Sequence, residues 1–203
     1  MTALKIGTGT GVKWAQLEDE ELPAEIKNRR RGGAKNPHGR TISLCVRYLS
    51  GRLTAAEVRT IIKAIPDKRK RELTGEAFEG LVQLYPQPFS TSVKPRASTP
   101  FDGPLKLLKV GTKPHLVVRD GSYQTYIFIW ANLTPVLLPS GAYAGALLIR
   151  ESCETQPGVF NTFEVADVRQ RVLYSFPADE LDADANSLNT LLKRIETQVA
   201  KEP

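Results

Sequence analysis

The sequence predicts an α+β protein, and three observations carry that expectation. Between Thr54 and Tyr85 apolar residues recur at helical spacing in two runs, each stopped by a proline. Between Leu105 and Phe176 short apolar runs follow one another with turn residues between them. Near the C-terminus Leu188, Leu191, Leu192, Ile195 and Val199 form a further helical stripe. The expected architecture is a basic flexible N-terminal arm, a helical pair, an antiparallel β-sheet and a C-terminal amphipathic helix. Residues 1–40 form the arm and 41–203 a single domain.

In chain order, Leu4 and Ile6 suit a short strand, which runs into Gly7-Thr8-Gly9-Thr10-Gly11. An acidic stretch (Glu18, Asp19, Glu20, Glu21, Glu25) then precedes a basic one, and carboxylates so close can mask the cations. This composition reads as a solvated, weakly ordered tail. Thr41–Leu49 alternates, with Ile42, Leu44, Val46 and Tyr48 on one side, and reads as a half-buried strand.

Thr54-Ala55-Ala56-Glu57 is a capping box, followed by Val58, Ile61, Ile62 and Ile65 as one apolar stripe that Pro66 ends. A second helix is expected from about Thr74, with Phe78, Leu81, Val82 and Tyr85 facing the core and Pro86 as its stop. Five prolines between Pro86 and Pro104 mark an extended loop. The expected strands are Leu105–Val110, His115–Arg119, Gln124–Trp130, Thr134–Leu138, Ala144–Glu151, Phe160–Val165 and Arg171–Phe176. Asp120-Gly121 is a hairpin signal. Asp179, Glu180, Asp182 and Asp184 lead into the last helix, where carboxylates suit the helix dipole.

Charge is unevenly distributed. Residues 1–100 hold 18 Lys/Arg against 10 Asp/Glu, while the rest of the chain is slightly acidic. The excess lies in two clusters. One is Lys27, Arg29, Arg30, Arg31, Lys35 and Arg40 in Gly- and Pro-bearing sequence. The other is the unbroken run Lys68, Arg69, Lys70, Arg71, expected in an exposed turn between the two helices. A basic half of this kind suits a polyanionic partner, because each phosphate neutralised releases a condensed counterion. Both clusters also fit a nuclear-import signal.

Catalytic patterns are weak. The glycine-rich Gly7–Gly11 run lacks the Lys-Ser/Thr pair of a phosphate loop and the third-glycine spacing of a dinucleotide fingerprint. His38 and His115 have no Cys or second His at metal-ligand spacing. Cys45 and Cys153 read as isolated thiols, and acidic neighbours argue against Cys153 as a nucleophile. Asp120, Glu164 and Asp167 with a nearby Lys mimic a metal-dependent nuclease set, with no spacing that singles them out. Tyr126, Phe128 and Trp130 share one side of a strand, the core side, with Tyr123 opposite. No cofactor is implied. No apolar run is long enough to span a bilayer, and no secretory leader is visible.

The order of elements over residues 27–176 is similar to that of small viral matrix proteins of the rhabdovirus kind, which have a basic flexible N-terminus and a helix pair leading into an antiparallel sheet. The likeness is one of layout. The proline-tyrosine budding motif common in that family is absent, since Leu84-Tyr85-Pro86-Gln87 does not match it. The resemblance implies a non-enzymatic assembly protein that binds RNA or an anionic membrane surface and self-associates. It would be cytoplasmic, peripheral to a membrane or in a virion, and would take no small-molecule substrate. The alternatives are a nucleic-acid-binding regulatory or interaction module of bacterial or phage origin and, third, a metal-dependent nuclease.

Overall fold

The computed structural model describes residues 3–31, 38–93, 99–100, 105–151, 153, 158–182 and 184–202. The protein is a mixed α+β structure built on two sheets. The larger sheet has the order β2-β5-β6-β7-β8, formed by Ser92–Val93, Leu116–Asp120, Tyr123–Trp130, Phe160–Asp167 and Val172–Pro177. The smaller has the order β1-β4-β3, from Leu4–Gly7, Leu108–Thr112 and Thr99–Pro100. Alternation along β5, β6 and β7 divides the apolar side chains between two cores. Val117, Tyr126, Phe128, Trp130, Phe163 and Val165 face the first. Leu116, Val118, Ile127, Ile129 and Ala166 face the second. The central sheet is therefore covered on both sides.

The N-terminal segment differs from the expected flexible arm. After β1, helix α1 spans Thr8–Ala15 and helix α2 spans Leu22–Arg30. Val12, Trp14, Leu22 and Ile26 are buried in the first core beside the C-terminal helix α8 (Ala185–Lys201). The charges at 18–31 conceal these few apolar anchors, whose burial in the first core holds both helices against it. Two carboxylates of the acidic stretch pair outside the basic one. Glu25 pairs with Lys13 at 2.8 Å and Asp19 with Arg194 of α8 at 2.7 Å.

Thr41–Leu49 is helical, not a strand: α3 spans Gly39–Leu49. Thr41, Leu44, Cys45, Tyr48 and Leu49 are buried and fall at i, i+3, i+4, i+7 and i+8. Leu44 and Tyr48 belong to both the alternating and the helical pattern, and packing on the second core selects the helix. Helix α4 (Ala55–Lys63) carries the expected capping box between Thr54 and Glu57. Helix α5 (Lys68–Leu84) begins at Asp67 rather than near Thr74, because the Asp67 carboxylate caps the Lys70 N–H at 2.9 Å. The basic run is thus the first turn of a helix and not a connecting turn.

Of the Pro-rich loop, Ser92–Val93 pairs with β5 and Thr99–Pro100 with β4. Residues 94–98 and 101–104 lie outside the described residues. Ala144–Glu151, expected as a strand, is part of helix α6 (Pro139–Glu151), and Thr134–Leu138 is a connecting segment. Helix α6 is apolar nearly all round because it is buried nearly all round, and periodicity alone does not separate such a run from a core strand. It crosses over between β6 and β7, which pair in parallel, so the sheet is mixed rather than purely antiparallel. Close packing of α1 on α6 relies on two glycines. A Cβ at Gly11 would stand 2.7 Å from Leu148 Cδ1, and one at Gly145 would stand 2.8 Å from Val12 Cγ2.

The last helix matches expectation, with Leu188, Leu192, Ile195 and Val199 buried in the first core. The carboxylates ahead of it sit on or beside a short helix, α7 (Ala178–Asp182), where Asp182 pairs with Arg150 at 2.8 Å.

Candidate polyanion interface

The basic residues sort into those held by the fold and those left to solvent. On α2, Lys27 pairs with Glu202 at 3.0 Å. Arg29 donates from Nη2 to the Lys5 carbonyl at 3.1 Å, and Arg30 donates from Nη2 to the Val199 carbonyl at 3.2 Å. These three tie α2 to β1 and α8. Arg31, just past the end of α2, is exposed. Lys35 lies outside the described residues. Arg40 is exposed in the first turn of α3.

In α5, Lys68, Arg69 and Lys70 are exposed, while Arg71 is half-buried and donates to the Ile65 carbonyl at 2.9 Å. Lys68 meets Glu72 only at 4.0 Å and Lys70 meets Asp67 only at 3.8 Å, with four-fifths or nearly so of each lysine side chain in water. Such pairs neutralise little. Asp67 is itself held below the usual carboxylate range, first by the Lys70 backbone N–H it accepts and then by the neighbouring cations.

The two clusters do not belong to one layer. Helix α2 packs through Leu22 and Ile26 on the first core, and α5 packs through Ala77, Phe78 and Leu81 on the second. The central sheet stands between them. Arg40 belongs with α5: the hydroxyl of its neighbour Thr41 meets the hydroxyl of Thr74, one turn beyond Lys70 and Arg71, at 3.2 Å. Helix α3, which carries Arg40, thus packs on the same core as α5, while α2, which precedes Arg31, packs on the other; the end of α2 and the start of α3 meet where Asn28, Arg29, His38 and Ile42 line one cleft.

No protein-family model matches the chain, and no curated protein matches it.

The carboxylates considered for nuclease chemistry do not converge. Asp120 is exposed at the β5–β6 hairpin, in the row of Tyr123 and Phe160. Glu164 lies four residues further along β7, about 13 Å away at strand rise. There it accepts the Tyr85 hydroxyl at 2.6 Å, and burial pushes its carboxyl above the ordinary range. Asp167 points to the opposite face from Glu164. It is 1% exposed and accepts the backbone N–H groups of Arg169 and Gln170 and the Gln170 amide. Among the described residues no group of three or more His, Cys, Asp and Glu side chains is placed to hold a metal ion, and no helix is long and apolar enough to cross a membrane. Cys45 is buried in the second core, where desolvation pushes its thiol up to about 12 and leaves it unreactive.

Sequence reasoning gave no role to His115. Its ring stacks on Phe128 with centroids 4.5 Å apart, and its Nδ1 accepts the Ile129 N–H at 2.9 Å. Burial, then the positive charge of Lys113, lowers its pKa from 6.5 to about 4. The folded protein thus keeps the ring neutral where the unfolded chain protonates it. Stability is expected to fall as pH drops from 6.5 through 4, by about 2 kcal/mol between pH 7 and pH 4.5 from this group, and the loss levels off only once the pH is below the folded value of about 4. Asn at this position can still accept the Ile129 N–H. Urea midpoints of the wild type and His115→Asn at the two pH values check the expectation, the variant losing less by that amount.

Proposed function

We propose that this protein is a non-enzymatic binder of a nucleic-acid phosphate backbone, through a surface formed by Arg40 and the first turn of α5. The observation that carries this reading is the placement of four consecutive cations at the positive end of a helix with no carboxylate in its first turn. Each exposed cation there opposes the helix dipole by about 0.3–1 kcal/mol, and a chain selected only for helix stability would carry Asp or Glu instead. A polyanion reverses the sign of that term. Asp67 at the cap offsets only part of this, and local rules broken in this way mark functional positions. Arg31, exposed just past α2, is a further contact.

The element order that suggested a matrix-like layout changes at 41–49 and at 144–151, and assembly is no part of the proposal. RNA is preferred to duplex DNA, as the sequence expectation has it. An acidic membrane is the competing anion.

Fluorescence anisotropy with labelled single-stranded RNA and with duplex DNA, beside sedimentation with phosphatidylserine vesicles, tests the reading across a salt series. Binding at low salt that weakens steadily as salt rises is expected for the nucleic acids. Absence of binding at low salt, a flat salt response, or binding to vesicles alone would overturn it.

A further inference from the structure

The Gly7–Gly11 run borders a cleft of about 680 Å³, a size suited to a small organic ligand. The cleft lies at the carboxyl ends of β1 and β6: Gly7 closes the first strand, Trp130 the second, and both line it. Ligands of open α/β sheets gather at strand carboxyl ends.

Its lining is positively charged. Lys13, Arg29 and Lys113 contribute cations, Glu25 is the one carboxylate among the lining residues, and it is paired with Lys13. His38 and His115 also line it, and both are held towards the neutral form by burial and by a nearby cation. The N-terminal residues of α1, Gly7 to Thr10, form one rim, and no side chain caps that end of the helix. The walls are aromatic: Trp14, Phe128 and Trp130, with the His115 ring laid on Phe128.

One buried donor here lacks an acceptor, and a second N–H lies beside it. Trp130 is 2% exposed, and its indole N–H meets no partner. The Nδ1 of His115 is occupied by the Ile129 N–H, so the neutral ring carries its proton on Nε2 and offers a second N–H. A buried donor left unmatched carries a penalty of about 1–3 kcal/mol, which a ligand acceptor relieves. The glycines separate in the same sense. Gly11 is required by packing against Leu148, whereas a Cβ at Gly9 would meet only the Phe128 ring edge at an ordinary 3.8 Å. Packing therefore accounts for Gly11 and not for Gly9.

We infer that this cleft binds a phosphorylated nucleotide, its phosphate at the α1 rim near Lys113 and its base against the aromatic wall, either as a free mononucleotide or as the 5′-terminal nucleotide of a nucleic acid. The cleft shares no lining residue with the first turn of α5.

The chain has two tryptophans, and both line the cleft, so intrinsic fluorescence reports occupancy directly. The full-length protein is titrated with AMP, GMP, CMP and UMP, with the corresponding nucleosides, and with a short oligonucleotide bearing a 5′-phosphate or a 5′-hydroxyl. A saturable fluorescence change is expected with at least one monophosphate or with the 5′-phosphorylated oligonucleotide, and binding at least about tenfold weaker when the phosphate is missing. Tighter binding of the oligonucleotide assigns the terminal-nucleotide source, and equal or weaker binding assigns the free one. Gly9→Val, which fills the cleft, and Lys113→Glu, at an exposed side chain, should each weaken binding at least about tenfold, the second by losing a charge-assisted contact. If Gly9→Val does not fold, Lys113→Glu decides. No fluorescence change with any phosphorylated probe, equal binding of nucleosides and monophosphates, or unchanged binding in the folded variants would overturn the inference. Charge reversal in α5 should leave mononucleotide binding intact, which separates failure of this site from failure of the surface.

Discussion

Gly80→Ala is expected to be the most damaging glycine-to-alanine change among the described residues, and Gly75→Ala, five residues earlier on the same helix, is expected to stabilise the protein. A Cβ at Gly80 would stand 1.9 Å from the Val168 carbonyl oxygen, which is backbone just past the end of β7 and has no side-chain freedom to retreat. Helix α5 would have to move away from the sheet and loosen the contacts of Phe78 and Leu81, both fully buried. Overpacking of this kind typically destabilises by about 1–3 kcal/mol, and contact with fixed backbone belongs at or above the top of that range. The gain in helix propensity, about 1 kcal/mol, does not offset it. At Gly75 the added methyl meets Ile62 Cγ2 at 3.8 Å, an ordinary contact, so the propensity gain stands alone. For a chain of this length each kcal/mol moves the midpoint by roughly 2–4 °C. Thermal unfolding should therefore show Gly80→Ala lower by roughly 6 °C or more and Gly75→Ala higher by a few degrees. Equal midpoints for the two variants would mean that α5 does not lie against Val168 as described.

The second large effect is on binding. The combined substitution Lys68→Glu, Arg69→Glu, Lys70→Glu should abolish nucleic-acid binding at moderate salt while raising thermal stability. Binding falls because three exposed cations become three anions beside a polyanion. Stability rises because the carboxylates now agree with the helix dipole, by about 0.3–1 kcal/mol each. Asp67 remains as the cap, although the new carboxylates beside it reduce part of that gain. A gain in stability coupled to a loss of binding is the signature of a surface held against its own local preference. Arg31→Glu, just past α2, should weaken binding less, because it removes one contact rather than three.

What the sequence made legible follows from how many constraints act on each segment. The α4 capping box, the stripes of α4, α5 and α8, and strands β5 to β8 each combine a clear period with a distinct boundary, and the α+β class follows from them. Thr41–Leu49 satisfies two periods at once, and only the second core, assembled from distant residues, chooses between them. The α6 run is apolar on every side because both α1 and the sheet cover it, which erases the period. The N-terminal segment hides a few buried anchors among many charges. For the candidate site, the sequence predicts exposure of Lys68, Arg69 and Lys70 in a connecting turn, and the structure exposes them in the first turn of a helix. The Asp67 cap, a strong signal directly before the run, extends the helix back through the cations. The cleft was not legible, because it joins Gly7–Thr10, Lys113, His115 and Trp130 from four separate stretches of chain.

The central claim is that the α5 first turn and Arg40 carry the contact with a phosphate backbone. The most direct measurement is the slope of log binding constant against log salt concentration for the wild type and for the triple charge reversal, on the same single-stranded RNA. Counterion release gives roughly 0.7 of a unit of slope per phosphate contacted on a single strand, so loss of three cations should flatten the slope by about 2 units. A variant that binds RNA with the wild-type affinity and the wild-type slope would place the contact elsewhere and contradict the account.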